Sequence, residues 1–120
     1  MPVPRTEIHV SEREGVAVVA IVGEHDTGNA DALIEALRER LAPHLPLLVD
    51  LSAATFVDST ILGVLLRARQ QADRLGLAYA LVVPADPAAP VRRLVEVTML
   101  RGVFAIYDDE AAATAALSTA

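Results

Sequence analysis

Three short apolar runs, Val16–Val22, Leu47–Leu51 and Leu77–Val83, alternate with longer segments whose apolar residues recur at helical spacing. That alternation limits what the chain can fold into. Each run is too short for a helix of its own, and Val16–Val22 is dominated by β-branched residues between Glu14-Gly15 and Gly23, as expected of a buried strand closed by turns. Leu47–Leu51 follows Pro46 and reads as a central strand. Between these two, Asp26 or Thr27 can cap a helix starting near Asn29. Ala30, Leu33, Ile34, Leu37 and Leu41 fall on one side of it, Asp31, Glu35, Arg38, Glu39 and Arg40 on the other, and Pro43 stops it. Asp58-Ser59-Thr60 offers three successive capping residues to a second helix. Ile61, Val64, Leu65, Ala68, Ala72 and Leu75 share one face, Arg67, Gln70, Gln71 and Arg74 point away, and Gly76 is the stop.

The remaining segments extend the same pattern. Glu7–Glu12 alternates modestly and predicts a first strand, whereas Ser52–Val57 is expected to be a loop. Pro84 ends the third run, and Asp86–Pro90 is a turn-rich entry to a short helix through Arg92 and Leu94 as far as Val97. Gly102–Tyr107 predicts a last short strand, and Asp108-Asp109-Glu110 places acids at the positive end of an Ala-rich terminal helix. The order β-β-α-β-α-β-α-β-α predicts an α/β fold with a mostly parallel central sheet and flanking helices. At 120 residues one domain, 1–120, is expected.

Several function classes fall away on composition. The net charge of −6 gives no general attraction to nucleic acid or to an anionic membrane. The chain has no cysteine, which removes disulfides, thiolate catalysis and cysteine metal sites and is compatible with a reducing cytosol. Met1–Val10 has no apolar h-region, and the longest purely apolar run, Val16–Val22, is far short of the roughly 20 residues that span a bilayer, so a cytoplasmic location without membrane insertion is expected. His9, His25 and His44 are scattered without ligand spacing and are expected to be solvated loop residues, with no metal site. The glycines form no phosphate-cradling motif, and all ten basic residues are arginine, so lysine chemistry is impossible. Neither a catalytic residue nor a cofactor site stands out. The chain is read as non-enzymatic, with no cofactor of its own.

One segment carries a chemical idea. Phe56-Val57-Asp58-Ser59-Thr60 sets two hydroxyls at the mouth of a helix, where Ser59 is expected to be exposed in a partly positive backbone environment. On the residues alone, ordinary helix capping explains the same pattern.

The residues Leu48-Val49-Asp50-Leu51-Ser52, followed by Thr55-Phe56-Val57-Asp58-Ser59-Thr60-Ile61-Leu62-Gly63-Val64-Leu65, resemble the signature of the STAS family, in particular of bacterial anti-sigma factor antagonists. Gly23-Glu24-His25-Asp26 resembles the family's Gly-Glu-Leu-Asp turn. Val91-Arg92-Arg93-Leu94 with Leu100-Arg101-Gly102-Val103-Phe104 resembles its late helix and last strand. The resemblance implies a partner-switching module: a domain that binds an anti-sigma factor which is also a GHKL-type serine kinase, and is released when its motif serine is phosphorylated. Ser59 matches that serine, Asp58 the motif aspartate and Asp26 the loop aspartate, and the implied partner surface comprises Asp26, Asp58, Ser59, Thr60, Ile61 and Gly63. ATP would belong to the kinase. Ile61 stands where many members have glycine and is expected to fill space in front of the phosphoacceptor, and His25 replaces a usual apolar residue. Two other readings stay open: a STAS subunit of a lipid ABC transporter that binds an ATPase without phosphoserine control, and a small-ligand or nucleotide sensor using the helix mouth as an anion site. A homodimer, through the Val16–Val22 strand or another apolar face, is also open.

Overall fold

The computed structural model describes residues 6–42, 44–98 and 105–118. Its strands are β1 (Glu7–Arg13), β2 (Val16–His25), β3 (Leu47–Val57), β4 (Tyr79–Val82) and β5 (Ala105–Tyr107); its helices are α1 (Ala30–Leu41), α2 (Ser59–Arg74), α3 (Pro90–Thr98) and α4 (Glu110–Ser118). A single 3-10 turn, Thr27–Asn29, links β2 to α1. The strands lie side by side in chain order, β1-β2-β3-β4-β5. β1 is antiparallel to β2, joined through Glu14 and Gly15 at positive φ, and the other three pairings are parallel. The sheet is thus mixed rather than wholly parallel.

Strand order decides where the helices go. Right-handed crossovers that always step to the next strand place α1, α2 and α3 on one face. Beneath them lie Ala17, Val19 and Ile21 of β2 and Leu47, Val49 and Leu51 of β3, packed with Leu33, Leu37, Ile61, Leu65, Val91 and Val95 of the helices. α4 returns across the opposite face, where Ala113 and Leu117 meet Val16, Val18, Leu48, Ala80 and Val82. With both faces covered, β2 must be apolar at successive positions, which explains the unbroken run at Val16–Val19. Between elements, the Tyr79 hydroxyl donates to the Leu65 carbonyl at 3.0 Å and Arg92 donates to Asp108 at 2.8 Å, while within α3 Arg92 also donates to Glu96 at 2.8 Å.

Three expectations need correction. Ser52–Val57 is not a loop; β3 runs through it to Val57. The register explains why alternation was lost: Ala20 pairs with Asp50 but Val22 with Ala53, and Gly23 pairs with Ala54 but Glu24 with Phe56, so β3 carries extra residues as bulges. At the first, the Ser52 amide turns inward to the Asp50 carboxylate at 2.8 Å. At the second, Gly23 is inside β2 with φ 81, a conformation glycine adopts without strain. β2 continues to His25, which is fully buried rather than solvated. Finally, β2 is an interior strand paired on both sides, so it offers no edge for a dimer. The strand expected at Gly102–Tyr107 is described as Ala105–Tyr107; Pro43, the Leu100–Phe104 motif and the rest of 99–104 lie outside the described residues.

The α4 face also carries a buried charge. Asp50 is 7% exposed, and Glu110, the first residue of α4, is hydrogen-bonded to it and paired with Arg13 at 3.3 Å. The hydrogen bond to Asp50, burial and the Asp50 charge push the Glu110 carboxyl above its ordinary range, against the pull of Arg13. An acid whose folded pKa is raised contributes stability that is full below its unfolded pKa and is lost as pH rises through the folded value. Glu110→Gln removes this titration. Thermal unfolding of wild type and variant across pH is expected to show the variant gaining on wild type as pH rises from about 4 to 7; a difference independent of pH would contradict the pairing.

Candidate functional site

β2 and β3 run parallel, and both deliver their chains to the same carboxyl edge of the sheet, where His25 pairs with Val57. Immediately beyond, Asp58 caps α2 and Asp26 caps the Thr27–Asn29 turn. The two caps are tied together. The Asp58 Oδ1 accepts from the Ile61 amide at 3.0 Å, while Oδ2 accepts from the Thr27 amide at 3.2 Å and, more weakly, from the Thr27 hydroxyl at 3.4 Å. Thr27 and Thr60 hydroxyls lie 3.1 Å apart. Because a carboxylate only accepts, the Thr27 hydroxyl donates to Asp58 and Thr60 donates to Thr27, which satisfies every group.

Beneath the turn is a second network. Asp26 Oδ1 accepts from the Gly28 amide at 2.8 Å, and Asn29 Oδ1 accepts from the Asp26 amide at 2.7 Å. The Asn29 side-chain amide is thereby oriented to donate to Nδ1 of His25, whose Nε2 donates to the Val22 carbonyl at 3.0 Å. His25 replaces an apolar side chain without leaving a polar atom stranded, because both ring nitrogens are used inside the fold. The network fixes the turn that presents Thr27 to Asp58.

The expected site residues divide by exposure. Ser59 and Thr60 are exposed at the first turn of α2, Asp26 is exposed, and Asp58 and Gly63 are half-buried. Ser59 makes no hydrogen bond within the protein through its hydroxyl among the described residues, whereas Thr60 is engaged by Thr27. Ile61 departs from expectation. Its side chain is fully buried in the core beneath α1 and α2, so it fills no space in front of Ser59 and offers no side chain to a partner. Asp26 is less free than its sequence position implies, since one of its carboxylate oxygens is committed to its own turn.

Two residues of this surface take roles that the sequence did not assign to them. Thr27 joins both caps, and the signal for it is the pair of cap sequences, which becomes informative only when the parallel pairing of β2 and β3 is known. Phe56 is 46% exposed and lies opposite Glu24, two residues before Asp58. Its exposure could not be read while Ser52–Val57 was taken for a loop. No group of histidine, aspartate and glutamate able to hold a metal occurs among the described residues, and no described helix is long and apolar enough to cross a membrane.

The profile of the STAS domain matches residues 7–113. The chain belongs to the STAS domain family. It is 31% identical over 108 residues to an anti-sigma F factor antagonist of Paenibacillus polymyxa, with 87% of this chain and 88% of that protein covered. Among solved structures, an anti-sigma factor antagonist from Mycobacterium paratuberculosis is similar with a TM-score of 0.80 and 29% identity over 94% of each chain. A variant of RsbS from Moorella thermoacetica gives a TM-score of 0.75 at 25% identity, covering 95% of this chain and 97% of that one. In this STAS domain the cap at Asp58 is therefore the tie between the two helix entrances, and its removal is measurable. Asp58→Ala deprives both the Ile61 and Thr27 amides of their acceptor and is expected to cost about 1–2 kcal/mol in urea unfolding, with Asp58→Asn retaining most of the stability.

Proposed function

We propose that this STAS domain is an anti-sigma factor antagonist of the partner-switching kind: residues 1–120 act as one binding module, without turnover of its own, for an anti-sigma factor that is a GHKL-type serine kinase. Phosphorylation of Ser59 ends the association. The observation that carries this reading is the placement of Ser59, an unengaged hydroxyl held out at the first residue of α2 by the Asp58 cap. Kinship supports it, since relatives similar along nearly their whole length are named as antagonists of anti-sigma factors.

The physical chemistry of the switch follows from the surrounding charges. A phosphate adds about −1.5 to −2 charges at neutral pH. The Ile61 amide is taken by Asp58 Oδ1 and the Leu62 amide by the Asp58 carbonyl at 3.1 Å, which leaves the Ser59 and Thr60 amides at the helix start. An added phosphate meets these free donors and the positive end of the helix, so the fold tolerates it. Docking is different. Asp58 and the exposed Asp26 flank the modified serine, and neither is in an ion pair among the described residues. A partner closing over that edge would bury a concentrated negative cluster, which costs several kcal/mol unless matched by cations. The contact surface proposed for the unmodified state is Asp26, Asp58, Ser59, Thr60 and Gly63, with Phe56 as its exposed apolar member and Ile61 reached only through its backbone.

Pull-down from the source cell, with mass spectrometry of partner and Ser59, identifies the kinase. In vitro, Ser59→Ala is expected to bind it without release by ATP, and Ser59→Glu to bind about tenfold more weakly than wild type but more tightly than the phosphorylated protein, since one carboxylate carries less charge than phosphate. Equal phosphorylation of wild type and Ser59→Ala, or undiminished binding by the phosphorylated protein, would refute the switch.

A further inference from the structure

We propose that Arg67 is the cation that receives the phosphate of a modified Ser59, folding the new charge back onto α2. The inference rests on the reading of Ser59 as the modified residue. It begins from spacing. Ser59, Gly63 and Arg67 succeed one another at intervals of four along α2, so they form one stripe on its surface. The Arg67 side chain runs back toward the start of the helix: its guanidinium nitrogen lies 3.8 Å from where a Cβ on Gly63 would be, and nothing else approaches that position. One turn of helix further on is Ser59.

Closing the distance takes rotation of the two side chains toward each other and no movement of the backbone. Positions four apart on a helix are separated by about 6 Å along the axis, and a phosphate on Ser59 covers roughly half of that gap once its side chain rotates from the helix start along the stripe toward Gly63. The guanidinium, already over Gly63, supplies the remainder as a charge-assisted hydrogen bond, for which its planar fork of donors suits phosphate oxygens. Gly63 thereby acquires a reason. It sits in a helix with ordinary φ, and a Cβ there would meet only the Arg67 side chain at van der Waals distance, so the fold does not require its missing side chain, whereas a larger residue would stand between cation and phosphate.

Arg67 is available for this role. The other arginines of α2 are engaged, Arg69 with Asp73 at 3.3 Å and Arg74 with Gln71 at 3.2 Å, but Arg67 makes no ion pair or side-chain hydrogen bond among the described residues. Its charged and titratable neighbours across the groove between α1 and α2 are Arg38 and His44, which do not compete for it as anions. Around Ser59 itself stand Asp58 and Asp26, both of which oppose a phosphate and make a nearby cation worth more.

The test uses protein carrying phosphoserine at position 59, installed during translation so that no kinase is needed, with the phosphate titrated by phosphorus NMR. Pairing favours the dianion, so Arg67→Gln is expected to raise the phosphate's proton affinity about two- to fivefold, the range for an exposed ion pair, and the difference is expected to shrink in high salt. Gly63→Leu, which keeps the arginine but closes the gap, is expected to act in the same direction. Unfolding of the unmodified variants checks that neither change disturbs the fold. Equal titration midpoints in wild type and Arg67→Gln overturn the pairing and leave the partner switch standing. A partner kinase that fails to modify Ser59 sinks the switch and leaves the pairing intact. A wild-type midpoint in Gly63→Leu removes Gly63 from the proposal.

Discussion

Parallel pairing between β2 and β3 is the constraint on which the candidate site depends. Two strands that run side by side in the same direction release their chains at the same edge, and each chain must then turn into a helix on the same face. Two helix entrances, each with unsatisfied amides, are therefore forced together. The molecule uses one carboxylate for both: Asp58 closes its own helix and reaches across to the Thr27 amide of the neighbouring turn. Without the shared edge, these would be two ordinary caps.

This arrangement separates rigidity from exposure. The backbone around Ser59 is fixed from below by the buried Ile61, Leu62 and Leu65, and from the side by Thr27, itself held through Asn29 and the buried His25. Ser59 projects from that support into solvent. A surface group on such a base keeps its geometry when a partner arrives, so little ordering entropy opposes docking. The energetics of any modification then fall on the charges at the edge rather than on the fold.

Much of this was legible in the amino-acid sequence where a single element determines its own appearance. The periodicity of α1 and α2, the Gly76 stop and the Asp58 cap depend on local chemistry, and all are found where the spacing puts them. What escaped depends on neighbours. Ser52–Val57 lost its alternation because β3 accommodates bulges, and bulged strands read as loops. His25 looked like a polar surface residue because its two partners, Asn29 and the Val22 carbonyl, are brought to it only by the turn. The carboxyl pair of Asp50 and Glu110 joins residues far apart in the chain, and no local pattern announces it. Ile61 illustrates the reverse error: judged by family pattern it would crowd the serine, but helix geometry turns its side chain inward by one position.

The bulges in β3 have one more consequence, which concerns length rather than identity. From Asp50, whose carboxylate anchors the first bulge, to Asp58, the backbone works as a ruler: its irregularities set the phase in which the strand ends, and hence the direction in which Asp58 meets Thr27. Exposed positions such as Ser52, Ala53 and Thr55 can exchange side chains at little cost, but gaining or losing one residue would swing the strand's end to the opposite face. Variation in this stretch is thus confined to substitution at constant length, and the segment can be transplanted into another sheet of the same topology only as a whole cassette.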